Sequence, residues 1–395
     1  MIKARWSHCN DIKSAIEEIM LQGNNTEITV KKYTSSSKKG AKDRRFIADA
    51  IYSIIKNYRF YEFISPTSNH PINGIIAAYF YQNNILPPEQ EDWNIIEATK
   101  IEELKKLALT MPEVKFSVPQ WLHDLGIKSL PDNWINIIKA SILKAPIFIR
   151  VNNLKTNFRK LSNYFNKNNI QHKVENEHCI RLLDRMNLSQ NKAFSDGWFE
   201  IQDLGSQQIA HFCNPRPGDF VIDACCGAGG KTLHLADLME NSGTIMALDV
   251  NNKAQEALKQ RAQRAGISII NIADYSDKDR LNLLIHTAQI VLCDVPCSAT
   301  GVMRREIDQK WKLTPDKLQS LIDLQYQILV QSSKWVMVDG FLVYATCSVL
   351  PVENKDQITR FLELNPNFIF VEEKTLYPTE DGHDGFYMCK MRRIQ

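Results

Sequence analysis

The 395-residue chain predicts an α/β fold: a doubly wound, Rossmann-like parallel sheet in the second half, preceded by a small α/β module and an N-terminal helical domain. Three observations carry this expectation. Apolar residues at three- and four-residue spacing run through DIKSAIEEIMLQ and RRFIADAIYSIIKNYRFYEFI, a helical period with few strand-like alternations. At Ala145 the texture changes to the β-branched run APIFIRVNNLKTN, followed by a helical stretch, FRKLSNYFNKNN, and short strands around HKVENEHCIRLL. From Asp219 apolar strands alternate with helices: FVIDA with KTLHLADLM, TIMALDV with NKAQEALKQRAQRAG, then SIINIAD, QIVLCDVP and FLVYATCS. Strands of continuous apolar character separated by helices are buried on both faces, which implies a parallel sheet. The expected domains are 1–145, 146–198 and 199–395.

Composition narrows the class. A hydrophobic content of 44% is ordinary for a chain with real cores. The longest apolar stretches, such as IIAAYFY and WVMV, fall well short of the roughly 20 residues that span a bilayer, and MIKARWSHCN has no apolar signal core. A cytoplasmic, membrane-free protein is expected, with a monomer as the default. The nine cysteines are odd in number and lack paired CxxC spacing, so neither a disulfide framework nor a metal site is expected. The net charge of +3 is too small to argue for nucleic acid, but KKYTSSSKKGAKDRR (31–45) holds seven basic residues against one acid, Asp43. A solvated face and a phosphate-contacting patch both fit that run.

The strand FVIDA is followed by CCGAGGKT, which puts Gly227, Gly229 and Gly230 at the turn into a helix, where backbone amides can approach a ligand without Cβ interference. A phosphate-binding P-loop would need glycine five residues before Gly230, and Cys225 stands there. Asp249, at the tip of the next strand, is placed to accept both ribose hydroxyls of an adenosyl ligand. Asp223, Asp249, Asp274 and Asp294 all fall at or near strand ends, which suits a nucleoside carrying a cationic sulfonium.

Two cysteines stand apart from the rest. Cys9, Cys179, Cys213 and Cys389 read as buried, inert thiols. Asp294, Pro296 and Cys297 instead lie in the loop past one strand, and Cys347 lies in the equivalent loop past another. Both loops should open on the same sheet edge as the glycine turn.

On these residues the chain resembles the RsmB/NOP/Sun family of RNA cytosine-C5 methyltransferases. The likeness runs through FSVPQWL, PIFIRVNNLKTN, IQDLGSQQIA, DACCGAGGKT, ALDVN, IADYSD, DVPCSATGVMRR, the pair Lys310–Trp311, YATCSVLPVEN and DGFYM, covering roughly Phe116 to Met388 in the family's order. The resemblance implies S-adenosyl-L-methionine as cofactor and ribosomal or transfer RNA as partner. Cys225, Cys226, Gly227, Ala228, Gly229, Gly230, Lys231, Asp249, Asp274 and Asp294 would hold the cofactor. Cys347 would attack the base, Cys297 would help expel the enzyme, and Asp294 would assist at N3. It also implies an RRM-like RNA-recognition role for the small module, and a helical RNA-binding domain at the N-terminus as some relatives have.

The chemistry needs these residue types. C5 of cytosine is a poor nucleophile, so a thiolate adds at C6 and makes an enamine that can take a methyl group. A thiolate near neutral pH requires an electropositive setting, for which Lys231, Arg304 and Arg305 are the available cations. Two departures stand out. The family's CAAPGGKT reads CCGAGGKT here, and Asp339–Gly340 replaces a pair of glycines at an expected turn. A DNA cytosine-C5 methyltransferase would use the PC cysteine as nucleophile and lack the TC partner. A catalytically silent RNA-binding or ribosome-assembly protein is the alternative from another class.

Overall fold

The computed structural model describes residues 2–35, 39–65, 71–89, 98–184, 187 and 190–395, so part of the basic run, 36–38, lies outside it. The chain divides into two compact units, Met1–Lys144 with Val302–Pro315, and Ala145–Gly301 with Asp316–Gln395.

The first unit is helical: α1 (Trp6–Met20), α2 (Thr26–Thr34), α3 (Ala41–Lys56), α4 (Tyr58–Phe63), α5 (Pro71–Gln82), α6 (Ala98–Ala108), α7 (Pro112–Lys115), α8 (Gln120–Ser129) and α9 (Trp134–Ser141). Ile12, Ile16 and Ile19 of α1 and Ile47, Ile51, Ile54 and Ile55 of α3 are buried in one cluster with Phe80, as the helical spacing requires. The two-residue strands β1 (Ile2–Lys3) and β2 (Ile85–Leu86) pair in parallel, a feature too short to leave an alternation in the sequence.

The second unit contains two sheets. β3 (Ile147–Val151), α10 (Phe158–Lys167), β4 (His172–Asn176), β5 (Cys179–Leu182), α11 (Lys192–Ser195) and β6 (Phe199–Ile201) form an antiparallel sheet in the order β4-β5-β3-β6. The fourth strand lies past the expected boundary at 198, because three residues carry no readable period. One face of this sheet packs Ile149, Val151 and Ile180 on Leu161 and Phe165 of α10.

The larger sheet follows α12 (Leu204–Cys213). It consists of β7 (Phe220–Asp223), α13 (Gly230–Leu238), β8 (Thr244–Leu248), α14 (Asn252–Ala265), β9 (Ile270–Ala273), α15 (Lys278–Asn282), β10 (Ala288–Asp294), then α16 (Gln309–Lys312), α17 (Pro315–Ser333), β11 (Val336–Thr346), α18 (Lys355–Leu364), β12 (Phe368–Leu376) and β13 (Phe386–Arg393). Strand order is β12-β13-β11-β10-β7-β8-β9, with β11 to β9 parallel and the β12–β13 edge antiparallel. The sheet is thus the doubly wound, Rossmann-like one expected, and its order reverses between β7 and β10.

Two details go beyond the expectations. The small module's other sheet face is covered from within its own unit by α12 and α13. Its Arg150 is buried, donating to Gln202 (2.9 Å) and to Asp237 of α13 (3.3 Å), and Cys179 accepts from Gln207 of α12. Asp339–Gly340 is not a turn but a bulge inside β11: Ala288 pairs with Val336 and Ile290 with Phe341, so extra residues loop out. Asp339 takes φ 64° there. A Cβ on Gly340 would stand 2.9 Å from the Ala288 carbonyl, so glycine is required at that crossing.

Residues 302–315 fold with the first unit. Asp308 accepts from the Thr26 amide at the start of α2 (3.0 Å), while Lys310 and Trp311 donate to the carbonyls of Lys56 (2.9 Å) and Ile55 (2.8 Å) at the end of α3. An acid at a helix start and a cation at a helix end suit the orphan amides and carbonyls found there. The family's Lys–Trp pair is therefore a clasp on the helical unit.

Candidate active site

All the strand-end groups singled out in the sequence fall on one edge of the large sheet, at the carboxyl ends of its parallel strands. Taken across that edge they are Cys347 after β11, Asp294 at the end of β10 and Cys297 after it, Asp223 at the end of β7 and Cys225–Lys231 after it, Asp249 after β8 and Asp274 after β9. The order reversal between β7 and β10 opens a crevice where ligands of such sheets bind. Lys231 and Asp294 meet across it at 2.5 Å.

The glycine turn is shaped by contacts on both sides. Gly229 has φ 86° and lies against Leu258, where a Cβ would overlap the Leu258 side chain. Gly227 (φ 50°) and Gly230 have nothing within 4 Å of a built Cβ, so the turn presents bare backbone to open space. Asp249 locks this cradle: one carboxylate oxygen accepts from Gly227 N (2.7 Å), the other from Asn251 N (2.8 Å). Each oxygen retains a lone pair for a ribose hydroxyl. Ala228, one of the departures from CAAPGGKT, offers its carbonyl to Arg261 (2.6 Å), which also pairs with Glu200 of β6.

Charges in the crevice are uneven. Burial pushes the Asp223 carboxyl up to about 7, with Asp294 adding to it; one oxygen accepts from Thr232 and the other is buried without a partner. Burial pulls the Lys231 ammonium down, but Asp294, and beyond it Cys347, more than offset this, so it titrates above its ordinary range. Cys225 and Cys226 are raised by burial and then by the surrounding acids, which keeps both thiols neutral beside the turn. Asp274 is held below its ordinary value by Ser276, whose amide it accepts at 2.7 Å, so its carboxylate also caps its own loop. The neighbouring Tyr275 donates to the Ala224 carbonyl (2.5 Å) and ties that loop to the glycine turn. Sequence reasoning passed over Tyr275, although it lies within the quoted IADYSD.

The two cysteines meet. β10 and β11 are parallel neighbours with Asp294 opposite Ala345, so loops leaving them start level, and the Cys297 and Cys347 sulfurs lie 3.1 Å apart, both partly exposed. The Cys297 thiol is raised first by its hydrogen bond with Cys347, then by burial and the charge of Glu353. Of the cations proposed to support a thiolate, Lys231 lies on this edge, whereas Arg304 and Arg305 belong to the segment that folds with the helical unit. The nine cysteines are all free, and Cys9, Cys179, Cys213 and Cys389 are buried as expected. No helix of the described residues is long and apolar enough to cross a membrane.

A glycine cradle on a switch-point sheet with a carboxylate at the next strand tip is an arrangement that fits a nucleoside ligand on a Rossmann-like fold. Comparison with known proteins narrows it. The family model described as 16S rRNA methyltransferase RsmB/F matches residues 210–392, and that of the RsmF/B-like ferredoxin-like domain matches 118–189. The chain belongs to the RsmB/F methyltransferase family. Ribosomal RNA small subunit methyltransferase B of Pasteurella multocida is 35% identical over 295 residues, covering 70% of this chain and 65% of that protein. Its counterpart in Vibrio cholerae is 30% identical over 288 residues, covering 71% and 66%. The match thus spans just under two thirds of these relatives' length. Among solved structures, PH0851 superposes with TM-score 0.78 at 22% identity over 98% of this chain and 99% of its own. A methyltransferase homolog protein from Pyrococcus horikoshii gives 0.63 at 24% over 72% and 98%. These two likenesses speak for the fold.

Proposed function

We propose that the chain transfers a methyl group from S-adenosyl-L-methionine to C5 of a cytosine in small-subunit ribosomal RNA, through a covalent bond between Cys347 and C6. The observation that carries this is the pair of sulfurs 3.1 Å apart on the edge that also bears the glycine cradle and Asp249. The relatives' names, ribosomal RNA small subunit methyltransferase B, favour ribosomal over transfer RNA.

The cradle fits the cofactor: open backbone at Gly227 and Gly230, a carboxylate with free lone pairs at Asp249, and an acid-rich floor at Asp223 and Asp294 for a cationic sulfonium. The turn Cys225–Lys231, with Asp249, Asp274 and Asp294, would hold it, and when bound it supplies an electrophilic methyl group. The chain's own residues do the rest. Cys347 adds as thiolate to C6, with the Lys231 ammonium at hand to stabilise it. The Lys231–Asp294 pair holds a proton or hydrogen bond at N3 so that the ring accepts the electrons. Once C5 carries the methyl group, a base takes the C5 proton, the electrons re-form the C5–C6 double bond, the C6–S bond breaks and Cys347 departs as thiolate, with Cys297 assisting that elimination. The base must leave its stack to reach this edge, which favours a loop or bulge in the RNA. The basic residues of 31–45 are the proposed RNA-contacting patch of the helical unit.

The test is methyl transfer from labelled S-adenosyl-L-methionine to ribosomal RNA, transfer RNA and DNA, with gel detection of covalent adducts. Wild type should label ribosomal RNA, Cys347→Ala should be inactive and adduct-free, and Cys297→Ala should accumulate adduct. Adduct from Cys347→Ala would reverse the cysteine roles, and absence of transfer by wild type would leave an RNA-binding protein.

A further inference from the structure

We infer that Glu353 is a positioning residue that grips both cysteine loops with one carboxylate and holds Cys297 and Cys347 ready for their separate steps. This rests on the reading above of Cys347 as attacking group and Cys297 as the group that assists release.

Glu353 is fully buried. One of its oxygens accepts from the Ser298 amide (2.8 Å) and from Gln325 Nε2 (2.9 Å). The other accepts from the hydroxyls of Ser298 (2.5 Å) and Ser348. Ser298 follows Cys297 and Ser348 follows Cys347, so the carboxylate holds the residue next to each cysteine. The loops are braced further by Thr300, which lies 3.0 Å from the Ser348 hydroxyl and accepts from Val349 N, and by Gly301 N donating to the Cys347 carbonyl (2.9 Å). Gln325 extends the same grip to the Pro296 carbonyl (3.0 Å).

These four hydrogen-bonding partners are neutral. An ionised carboxylate among neutral partners is costly to bury, and a glutamine with both serine hydroxyls turned could satisfy the same sites without that cost. Stability alone therefore does not account for the acid. Beyond gripping both loops, Glu353 adds to the upward push on the Cys297 thiol, after that thiol's hydrogen bond with Cys347 and its burial, while Lys231 interacts with Cys347.

The experiment compares wild type, Glu353→Gln, Ser298→Ala and Ser348→Ala. Turnover and the trapped-adduct fraction are measured with ribosomal RNA and S-adenosyl-L-methionine. Alkylation of each cysteine by iodoacetamide is followed against pH by mass spectrometry without substrate. Ser348→Ala should form adduct about tenfold more slowly, whereas Ser298→Ala should form it normally but turn over about tenfold more slowly, so adduct builds up. Glu353→Gln should slow both steps and move Cys297 alkylation to lower pH. Equal losses in the two serine variants with an unchanged adduct fraction would mean a purely structural Glu353 and overturn the proposal, as would an unmoved Cys297 profile in Glu353→Gln. If wild type methylates nothing, the functional reading fails on its own, and the alkylation profiles still decide the role of Glu353.

Discussion

Fifteen residues of chain, from Cys297 to Trp311, serve two regions in different ways. Its first part lies on the carboxyl-end edge of the large sheet, where Cys297 faces Cys347; its last part clasps the helical unit, where Lys310 and Trp311 close the end of α3. Both parts belong to motifs of the same family, yet one set of side chains bears the chemistry proposed above and the other ties off backbone groups. A motif's presence thus marks a demand on the residue without saying whether the demand is chemical or architectural. The difference lies in exposure: the cysteines stay partly open to a ligand, whereas Asp308 and Lys310 are buried with their polar atoms spent on helix ends.

The largest effect that would break this contrast concerns Trp311. Its ring meets Tyr58 at a tilt (centroids 5.7 Å apart) and packs against the helical core, so Trp311→Ala removes that packing and the hydrogen bond to Ile55 together. The expected cost is about 3 kcal/mol, read as urea unfolding of the helical unit, with S-adenosyl-L-methionine affinity unchanged. A parallel loss of cofactor affinity would mean the clasp serves the catalytic edge as well.

The converse variant is Asp249→Ala. Both oxygens of Asp249 hold turn amides and face the cradle, so its removal should weaken cofactor binding by about 2 kcal/mol, roughly thirtyfold, as measured by calorimetry. Thermal unfolding of the helical unit should not move. A shift there would show that the two regions are not separable.

What the sequence disclosed follows the same division. The parallel sheet, the glycine turn, Asp249 and both cysteines were legible because each is a contiguous signal: an apolar run, a turn residue, a reactive side chain just past a strand. Glu353 stood in plain view in YATCSVLPVEN, but its role depends on Ser298, 55 residues away, and no local pattern records that pairing. The clasp was hidden for the same reason, since Asp308 meets Thr26 across 282 residues. The bulge at Asp339–Gly340 was mistaken for a turn because a left-handed residue and a glycine serve either purpose. The small module's strands were readable from their period, whereas the burial of its second face depends on α12 and α13, which the period does not reveal.

The smallest effect sharpens the contrast through pH. In the second unit, the rings of His178, His211 and His234 lie in series, tilted and then edge-on, with centroids 5.3 and 4.8 Å apart. Burial, then Arg150 and the neighbouring rings, depress His234; burial, then His178 and Arg150, depress His211. A base depressed in the fold stays neutral there while the unfolded chain takes up its proton at about 6.5. Its stability term is therefore complete above about pH 6.5 and is lost as pH falls toward the folded values. In the helical unit, burial and mutual repulsion lower Lys310 to about 7, and burial and Arg304 lower Lys56 to about 8. By the same sign these lysines cost nothing above the ordinary lysine range near 10.4, and their penalty grows as pH drops toward 8 and 7 and is constant below. His211→Gln/His234→Gln should therefore gain on wild type only below pH 6.5, by at most about 1.4 kcal/mol per pH unit for each histidine. Lys310→Met should gain on wild type as pH falls from 10 to 7 and then run parallel. Urea unfolding from pH 5 to 10 reads both differences, and a variant that ran parallel to wild type throughout its window would mean that the buried group it replaces keeps its ordinary titration in the fold.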